Sequence, residues 1–443
     1  MRKTQLLLAL AAIGFAGSAF ATNGYFSHGY GMKAKGMGGA STATAEDTFG
    51  GAVNPAKGVF VGDRIDLGVD LFSPIREASR TGSAGTAGST TGPFDASVKS
   101  DSNYFLIPEF GYNKMLRPEM AVGVTVYGNG GMNTDYPGGQ IPAPVCSGFG
   151  NTGAGNLLCG SGRLGVDLMQ LIVAPTLAYK VAPDHAIGIA PLLGLQRFEA
   201  KGIQPFGGFS VDGTNVSNNG HDSSTGIGVR LGYMGKLSPN VTIGAAYASK
   251  MNFRKFKDYG GLFAGGGDFD IPENYNLGLA VKAMPELTVA LDYQRINYSG
   301  VSSINNPMSN LGGCMLGDPT MCLGGSNGAG FGWSDINVWK LGVEYAYSNN
   351  LVLRAGVNHG DNPIRASDVT FNILAPGVVQ NHLTLGFTYT TPSGGEWTMA
   401  YAHAFSNDVT GTSFLTNFGA PATTTEKIKM HQDSIGIAYS WKM

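Results

Sequence analysis

The feature that most constrains the fold is an alternation of apolar and polar residues with a period of two, repeated along most of the chain. In residues 64–71, Ile65, Leu67, Val69 and Leu71 alternate with Arg64, Asp66, Gly68 and Asp70. Residues 120–127, 226–233, 241–248, 275–282, 287–294, 339–345, 351–358, 382–389 and 434–441 repeat the pattern. Alternation sustained this often marks antiparallel strands with one apolar and one polar face. After residue 22 there is no run of ~20 apolar residues, the length a membrane-crossing helix requires. Only 14% of residues are charged, against ~25% in an average soluble domain. Glycine is abundant (68 residues) and aromatics make up 10%. Such a composition fits a transmembrane β-barrel, whose strands are apolar on the lipid face alone. Asp292, Lys340, Glu344 and Arg354 recur on the polar faces. On the lipid face each would cost ~2–4 kcal/mol at the midplane, so these faces belong in a lumen. The net charge of −2 offers no basic patch for nucleic acid.

The connections give the strand number. Six are short: residues 116–119, 182–185, 237–240, 283–286, 347–350 and 391–396. Seven are long: residues 76–102, 130–165, 202–223, 258–272, 299–334, 361–380 and 406–430. Short turns on the periplasmic rim and long loops outside are the pattern of an outer-membrane barrel. Six turns and seven loops, with both ends on the turn side, require fourteen strands. The sheet must close, because an open edge in lipid leaves backbone groups without partners. The second and fourth strands, residues 103–113 and 164–179, carry Pro108 and Pro175, which predict breaks in their ladders.

Residues 1–21 read as a cleaved export signal: Arg2 and Lys3, an apolar core, then Ala19-Phe20-Ala21. No Cys follows that site, so a lipid-anchored form is not expected, and the mature chain is taken from Thr22. Export to the outer membrane of a Gram-negative bacterium follows. The cysteines fall in two local pairs, Cys146/Cys159 and Cys314/Cys322, each in a Gly-, Pro- or Asn-rich stretch. In an oxidising compartment these are expected to form two loop-stapling disulfides. Neither pair has the spacing or the His partners of a zinc site. The seven histidines are scattered, and no metal or other cofactor is expected. Nor is there a nucleophile–base pattern such as G-x-S-x-G, so no enzyme activity is expected.

Residues 22–60, TNGYFSHGYGMKAKGMGGASTATAEDTFGGAVNPAKGVF, fit neither period. They are dominated by Gly, Ala and small polar residues, as in a compact plug whose backbone packs closely. This glycine-rich mature N-terminus, with Asn54-Pro55-Ala56 just ahead of a first strand at residues 64–72, resembles the FadL family of outer-membrane transporters. The resemblance spans the whole mature chain and is clearest over residues 22–136. It implies a fourteen-stranded barrel (residues 61–443) holding an N-terminal hatch (residues 22–60). It implies passive transport of long-chain fatty acids or similar hydrophobic molecules by a monomer set among outer-membrane lipid and lipopolysaccharide. Exit would be lateral, through a kink in the third strand.

Gly128, Gly130 and Gly131 are the expected kink; the other assignment is the start of the second long loop. Asn54, Pro55 and Ala56 are expected to pin the hatch to the wall next to that gap, or else to form a plain turn. Tyr25, Phe26, Met32, Met37 and Phe49 in the hatch, with Phe206, Phe209, Leu262 and Phe263 in the loops, are candidates for an apolar ligand track. Arg230, Lys282 and Arg354 are candidate partners for a ligand carboxylate; alternatively they pair with Asp66, Asp70, Asp292 or Glu344. Uptake of aromatic hydrocarbons by the same route, a general porin, and an adhesive or structural barrel are the competing readings.

Overall fold

The structure, a computed structural model, describes residues 23–83 and 92–443; the export signal lies outside them. Among these residues, fourteen long strands form one closed antiparallel sheet. In chain order they are β1 (Arg64–Thr81), β2 (Phe105–Arg117), β3 (Met120–Tyr136), β4 (Leu164–Ala182), β5 (His185–Lys201), β6 (Asp222–Ser238) and β7 (Val241–Ala248). They continue with β8 (Asn274–Met284), β9 (Leu287–Ile296), β10 (Ile336–Ser348), β11 (Leu351–Gly360), β12 (Asn381–Thr390), β13 (Glu396–Thr412) and β14 (Thr425–Lys442). Each pairs with its sequence neighbour, and β1 closes onto β14 from Arg64↔Lys442 to Thr81↔Thr425. Two short segments, Ala96–Lys99 and Asn252–Phe253, add to β1 and β6. No helix among the described residues is long and apolar enough to cross a membrane.

The alternation places side chains as expected. Leu67, Val69 and Leu71 are exposed, while Asp66 and Asp70 are buried towards the lumen. Aromatic side chains collect at two heights on the outer face. Tyr275, Tyr293 and Trp339 pack together near the loop ends of their strands. Trp397, Tyr439 and Trp441 do so near the turn ends. Two such girdles bracket the apolar band of an outer-membrane barrel.

Several strands run further than the alternation indicated. β1 continues to Thr81, β3 to Tyr136, β13 to Thr412, and β14 begins at Thr425. These extensions stand above the bilayer, where the outer face is solvated. Lys427–Asp408 and Lys99–Glu77 occupy that face, so no apolar period marks it. The prolines behave differently from each other. Pro108 sits opposite Val69 without a break in register. The β4–β5 ladder is interrupted between Val173↔Leu193 and Leu177↔Ile189, around Pro175.

Residues 23–60 lie inside the barrel and are almost wholly buried. Only short helical turns form there: Met32–Gly36, Phe49–Ala52, Pro55–Lys57 and, at the exit, Gly58–Val61. Small residues are needed because backbone meets backbone. At Gly39, with φ +86°, a Cβ would sit 1.7 Å from the His28 carbonyl oxygen. Above this segment the long loops fold inward and bury an apolar cluster that extends down to Tyr25 and Phe26.

Candidate functional site

Polar contacts moor the N-terminal segment to nearly every part of the wall. Lys35 Nζ meets Asp70 of β1 at 2.7 Å and Glu109 of β2 at 3.6 Å. Thr48 donates to Asp66 from both its N–H and its hydroxyl, at 2.8 and 2.7 Å. Asp292 of β9 accepts the N–H groups of Ser41 and Thr42, each at 2.8 Å. Lys33 pairs with Glu396 of β13 at 2.8 Å. Arg354 of β11 pairs with Glu46 at 3.1 Å and with Glu344 at 2.6 Å. His28 stacks on His382 with ring centroids 5.8 Å apart. Burial pushes the His28 imidazole well below its ordinary pKa, and the charges of His382, Lys35 and Lys340 add to this. The segment is therefore held by many separate polar contacts rather than by one apolar plug face.

Asn54-Pro55-Ala56 is one of these moorings. The Asn54 amide donates to the carbonyls of Thr42 (2.9 Å) and Tyr233 (2.8 Å) and accepts from Ala56 N–H (3.1 Å). The motif packs on Gly188 of β5 and Gly232 of β6. It thus pins the segment to the wall on β5 and β6, not beside β3. Gly51, against Thr125 and Ala174, and Gly58, against Ala121 and Ala178, reach the lower parts of β3 and β4.

The wall is irregular at β3. Pairing of β2 with β3 ends at Phe110↔Val126, although β2 stays paired to β1 as far as Phe105. The upper halves of β2 and β3 therefore part. The register of β3 against β4 shifts between Gly128 and Gly130, and Gly131 follows opposite Met169. The freed edge of β3 is taken up from inside. Phe26 forms a bridge with Gly130. Ser27 N–H donates to the Asn129 carbonyl at 3.3 Å, and Tyr30 hydroxyl to the same oxygen at 3.0 Å. An unpaired strand edge in a membrane leaves backbone groups unsatisfied, and the N-terminal segment supplies the partners. Gly130 is required for this approach, since a Cβ would lie 1.5 Å from the Tyr25 carbonyl oxygen.

The loop candidates gather beneath the outer mouth. Phe206, Leu262 and Phe263 line an apolar cavity of about 30 Å³, in which Ser303 is the one polar side chain. Phe206 also faces a second cavity, of about 20 Å³, lined with Phe209, Phe414 and Phe418. Tyr25 and Phe26 join the same apolar cluster, and Tyr25 packs on Tyr298 and Trp333. Met32 and Met37 do not line this space. Met32 packs on Ala400 and Ala438, and Met37 on Ala280 and Ala290, against the wall. Phe49 is buried beside Gly31, away from the loop cavities.

The three cations separate. Arg354 is committed to Glu46 and Glu344. Lys282 is exposed near the β8–β9 turn. Arg230 is buried against the N-terminal segment, donating to the Gly51 carbonyl at 3.4 Å. With Lys340 and Asp292 it lines a small cavity of about 10 Å³. Both cysteine pairs are joined, with Cα separations of 5.3 Å (Cys146–Cys159) and 4.7 Å (Cys314–Cys322). Among the described residues no cluster of three or more metal-ligating side chains occurs.

Sequence reasoning missed most of the mouth: Phe198, Phe331, Phe371, Trp333 and Tyr298. They are spread over more than 170 positions and carry no shared spacing. Phe198 lies near the loop end of β5; for the other four the signal was only that a long, otherwise polar loop keeps an aromatic residue.

Among curated proteins none matches the chain by sequence. Solved structures share the fold. A Pseudomonas putida toluene transporter, TodX, superposes with a TM-score of 0.65 at 18% identity, covering 94% of this chain and 99% of that one. A Pseudomonas aeruginosa FadL homologue gives 0.66 at 13% identity, covering 95% and 99%. A Ralstonia pickettii toluene transporter, TbuX, gives 0.60 at 17%, covering 94% and 99%. The family profile described as outer membrane protein transport protein (OMPP1/FadL/TodX) matches residues 8–440. The chain thus belongs to the OMPP1/FadL/TodX family of outer-membrane transport proteins.

Proposed function

We propose that the chain carries long-chain fatty acids or similar hydrophobic molecules passively across the lipopolysaccharide leaflet and releases them sideways into the outer membrane. A molecule is collected by the apolar loop cavities around Phe206 and Phe263. It moves down towards Tyr25 and Phe26. Binding shifts the N-terminal segment, which works as a two-state gate. The molecule leaves where β2 and β3 part. The observation that carries this reading is the exchange of partners at β3: above Val126 the strand is paired by Phe26 of the N-terminal segment instead of by β2. A contact between gate and wall where β2 and β3 part couples the two. No nucleotide, metal or redox step is needed, because transport runs down a gradient.

Uptake of radiolabelled oleate and toluene by outer-membrane vesicles tests the reading. The controls are empty vesicles and vesicles carrying Gly130→Val. Saturable oleate uptake that Gly130→Val abolishes is the expected result. Saturable toluene uptake without oleate keeps the route and assigns neutral hydrocarbons, which the nearly all-apolar lining would also suit. Uptake of both at the rate of empty vesicles sinks the transport route and leaves an adhesive barrel.

A further inference from the structure

The outer face of β5 changes character along its length. Ile187, Ile189, Leu193 and Leu195 are exposed and apolar, and the outward positions that follow towards the loops are Arg197, Glu199 and Lys201. The neighbouring strands change at the same rows. Leu193 stands between Val173 of β4 and Ile227 of β6, whereas Arg197 stands beside Ser223 and Glu199 beside Asp167. Ile227 pairs in turn with Asn252, and Arg254 N–H donates to the Thr225 carbonyl at 3.0 Å. Asn252 and Arg254 are exposed on either side of buried Phe253, so Arg254 also belongs to the outer face. The lipid-facing apolar run therefore ends at Leu195 and Ile227, and two arginines border it on the loop side.

Among the described residues neither arginine forms an ion pair, because the acids beside them are engaged elsewhere. Glu199 is taken by Lys201 at 3.1 Å and His221 at 3.4 Å. Asp222 accepts the N–H groups of Ser223 at 2.7 Å and Asp258 at 3.0 Å. At the edge of a lipid-facing band the charges that meet a protein surface are head-group phosphates. A guanidinium fork matches two phosphate oxygens at once. Beyond the arginines lies an open polar groove of about 190 Å³, lined by Asn133, Asp135, Asp167, Glu199, Lys201 and His221. There the Asn133 amide donates to Asp167 at 2.9 Å, and His221 Nε2 lies 3.0 Å from the same carboxylate. A wall that mixes amide, carboxylate, ammonium and imidazole offers donors and acceptors together, which suits sugar hydroxyls better than a bare ion.

We infer that the outer face of β4–β6 is a docking site for the phosphorylated glycolipid of the outer leaflet. Its acyl chains lie on Leu193, Leu195 and Ile227. A head-group phosphate is held by Arg197 and Arg254, and the sugars beyond it enter the groove at His221. Apolar band, cation pair and hydroxyl-binding groove follow one another in the order in which such a lipid presents chain, phosphate and saccharide. The site lies on the outside of the wall and is independent of the transport route through the lumen.

The test uses the full barrel in detergent micelles and two probes. One is lipid A, the phosphorylated and acylated disaccharide that anchors lipopolysaccharide; the other is the same lipid with its phosphates removed. Two charge-assisted contacts predict binding of the phosphorylated form about 10- to 100-fold tighter. A double variant, Arg197→Gln with Arg254→Gln, should lose that preference and bind the dephosphorylated lipid as before. Both side chains are exposed, so the barrel should keep its heat resistance on denaturing gels. Lys427→Gln, on the outer face of β14, is the control and should leave the preference intact. Equal binding of the two lipids by the unaltered protein overturns the site, whether or not the double variant folds. A preference that survives the double variant, or that Lys427→Gln reduces equally, overturns it in favour of diffuse charge attraction. Displacement of lipid A by inorganic phosphate at equal concentration would show a bare anion site and overturn the glycolipid assignment. None of these outcomes bears on uptake, so the transport reading stands or falls separately.

Discussion

Asn54 concentrates three hydrogen bonds in one side chain, and two of them reach carbonyls on different elements, Thr42 of the N-terminal segment and Tyr233 of β6. Replacing it by Ala leaves buried acceptors unsatisfied at a cost of about 1–3 kcal/mol. Hydrogen exchange over residues 40–57 should speed up accordingly, while exchange in β5 and β6 stays slow; uniform acceleration would mean that Asn54 supports the barrel, not the mooring. His28 gives a pH dependence. Its folded pKa is depressed, so the folded segment favours neutral imidazole. In the unfolded chain the ring titrates near ~6.5. The contribution is therefore present above that pH and is lost as pH falls below it. Exchange around residues 28–39 should rise on acidification below about pH 6.5, and His28→Gln should flatten that rise. At this scale the sequence was partly legible. Asn-Pro-Ala announces a fixed backbone and a bonding side chain, but not which strands receive it. The charges on the polar faces were recognisably luminal, yet which of them pair depends on strands hundreds of residues apart. Arg354 and Arg230 look alike in sequence, and only one has a salt bridge.

The third strand carries the argument at the scale of the element. Its glycines could be read as a kink or as the start of a loop. The strand bulges between Gly128 and Gly130 and continues to Tyr136, so these glycines do not begin the loop. Glycine richness marks close backbone approach, but what approaches cannot be read locally, because the partner is Tyr25–Phe26, some hundred residues earlier. Gly130→Ala should force the Tyr25 backbone away, since its Cβ would fall 1.5 Å from that carbonyl oxygen. Uptake should fall while the barrel keeps its heat resistance on denaturing gels. Gly148→Ala, in a loop where an added Cβ meets nothing within 4 Å, should change neither. Equal loss in both variants would refute a role for the β3 contact. The strand count was legible from turns, because membrane strands alternate strictly. The extensions of β1, β13 and β14 were not, since above the bilayer the outer face turns polar while the inner face mixes buried charges such as Arg80 and Glu426 with Ile428 and Met430, and the period that reveals a strand is blurred.

On the scale of the whole molecule, the protein is a rigid wall enclosing two less uniform parts, a polar-moored segment below and an aromatic loop cluster above. The loops cannot rely on strand pairing, and two of them are closed covalently, across 13 residues at Cys146–Cys159 and 8 at Cys314–Cys322. Ser210 bridges to Leu323 next to the second disulfide, and Leu323 lines the larger apolar cavity. That disulfide therefore braces the loop which shapes the ligand-collecting space. Constraining such loops contributes about 2–4 kcal/mol of order. A Cys314→Ser, Cys322→Ser double variant should loosen residues 299–334 without touching the wall. Ligand uptake should then show a raised half-saturation concentration at an unchanged maximal rate, because collection is weakened and the exit at β3 is intact. The measurement is saturation uptake in vesicles, paired with hydrogen exchange of the loop and of β9–β10. A lowered maximal rate with unchanged half-saturation would place the disulfide's influence on the gate, and the division of labour between collecting loops and exit strand would have to be abandoned.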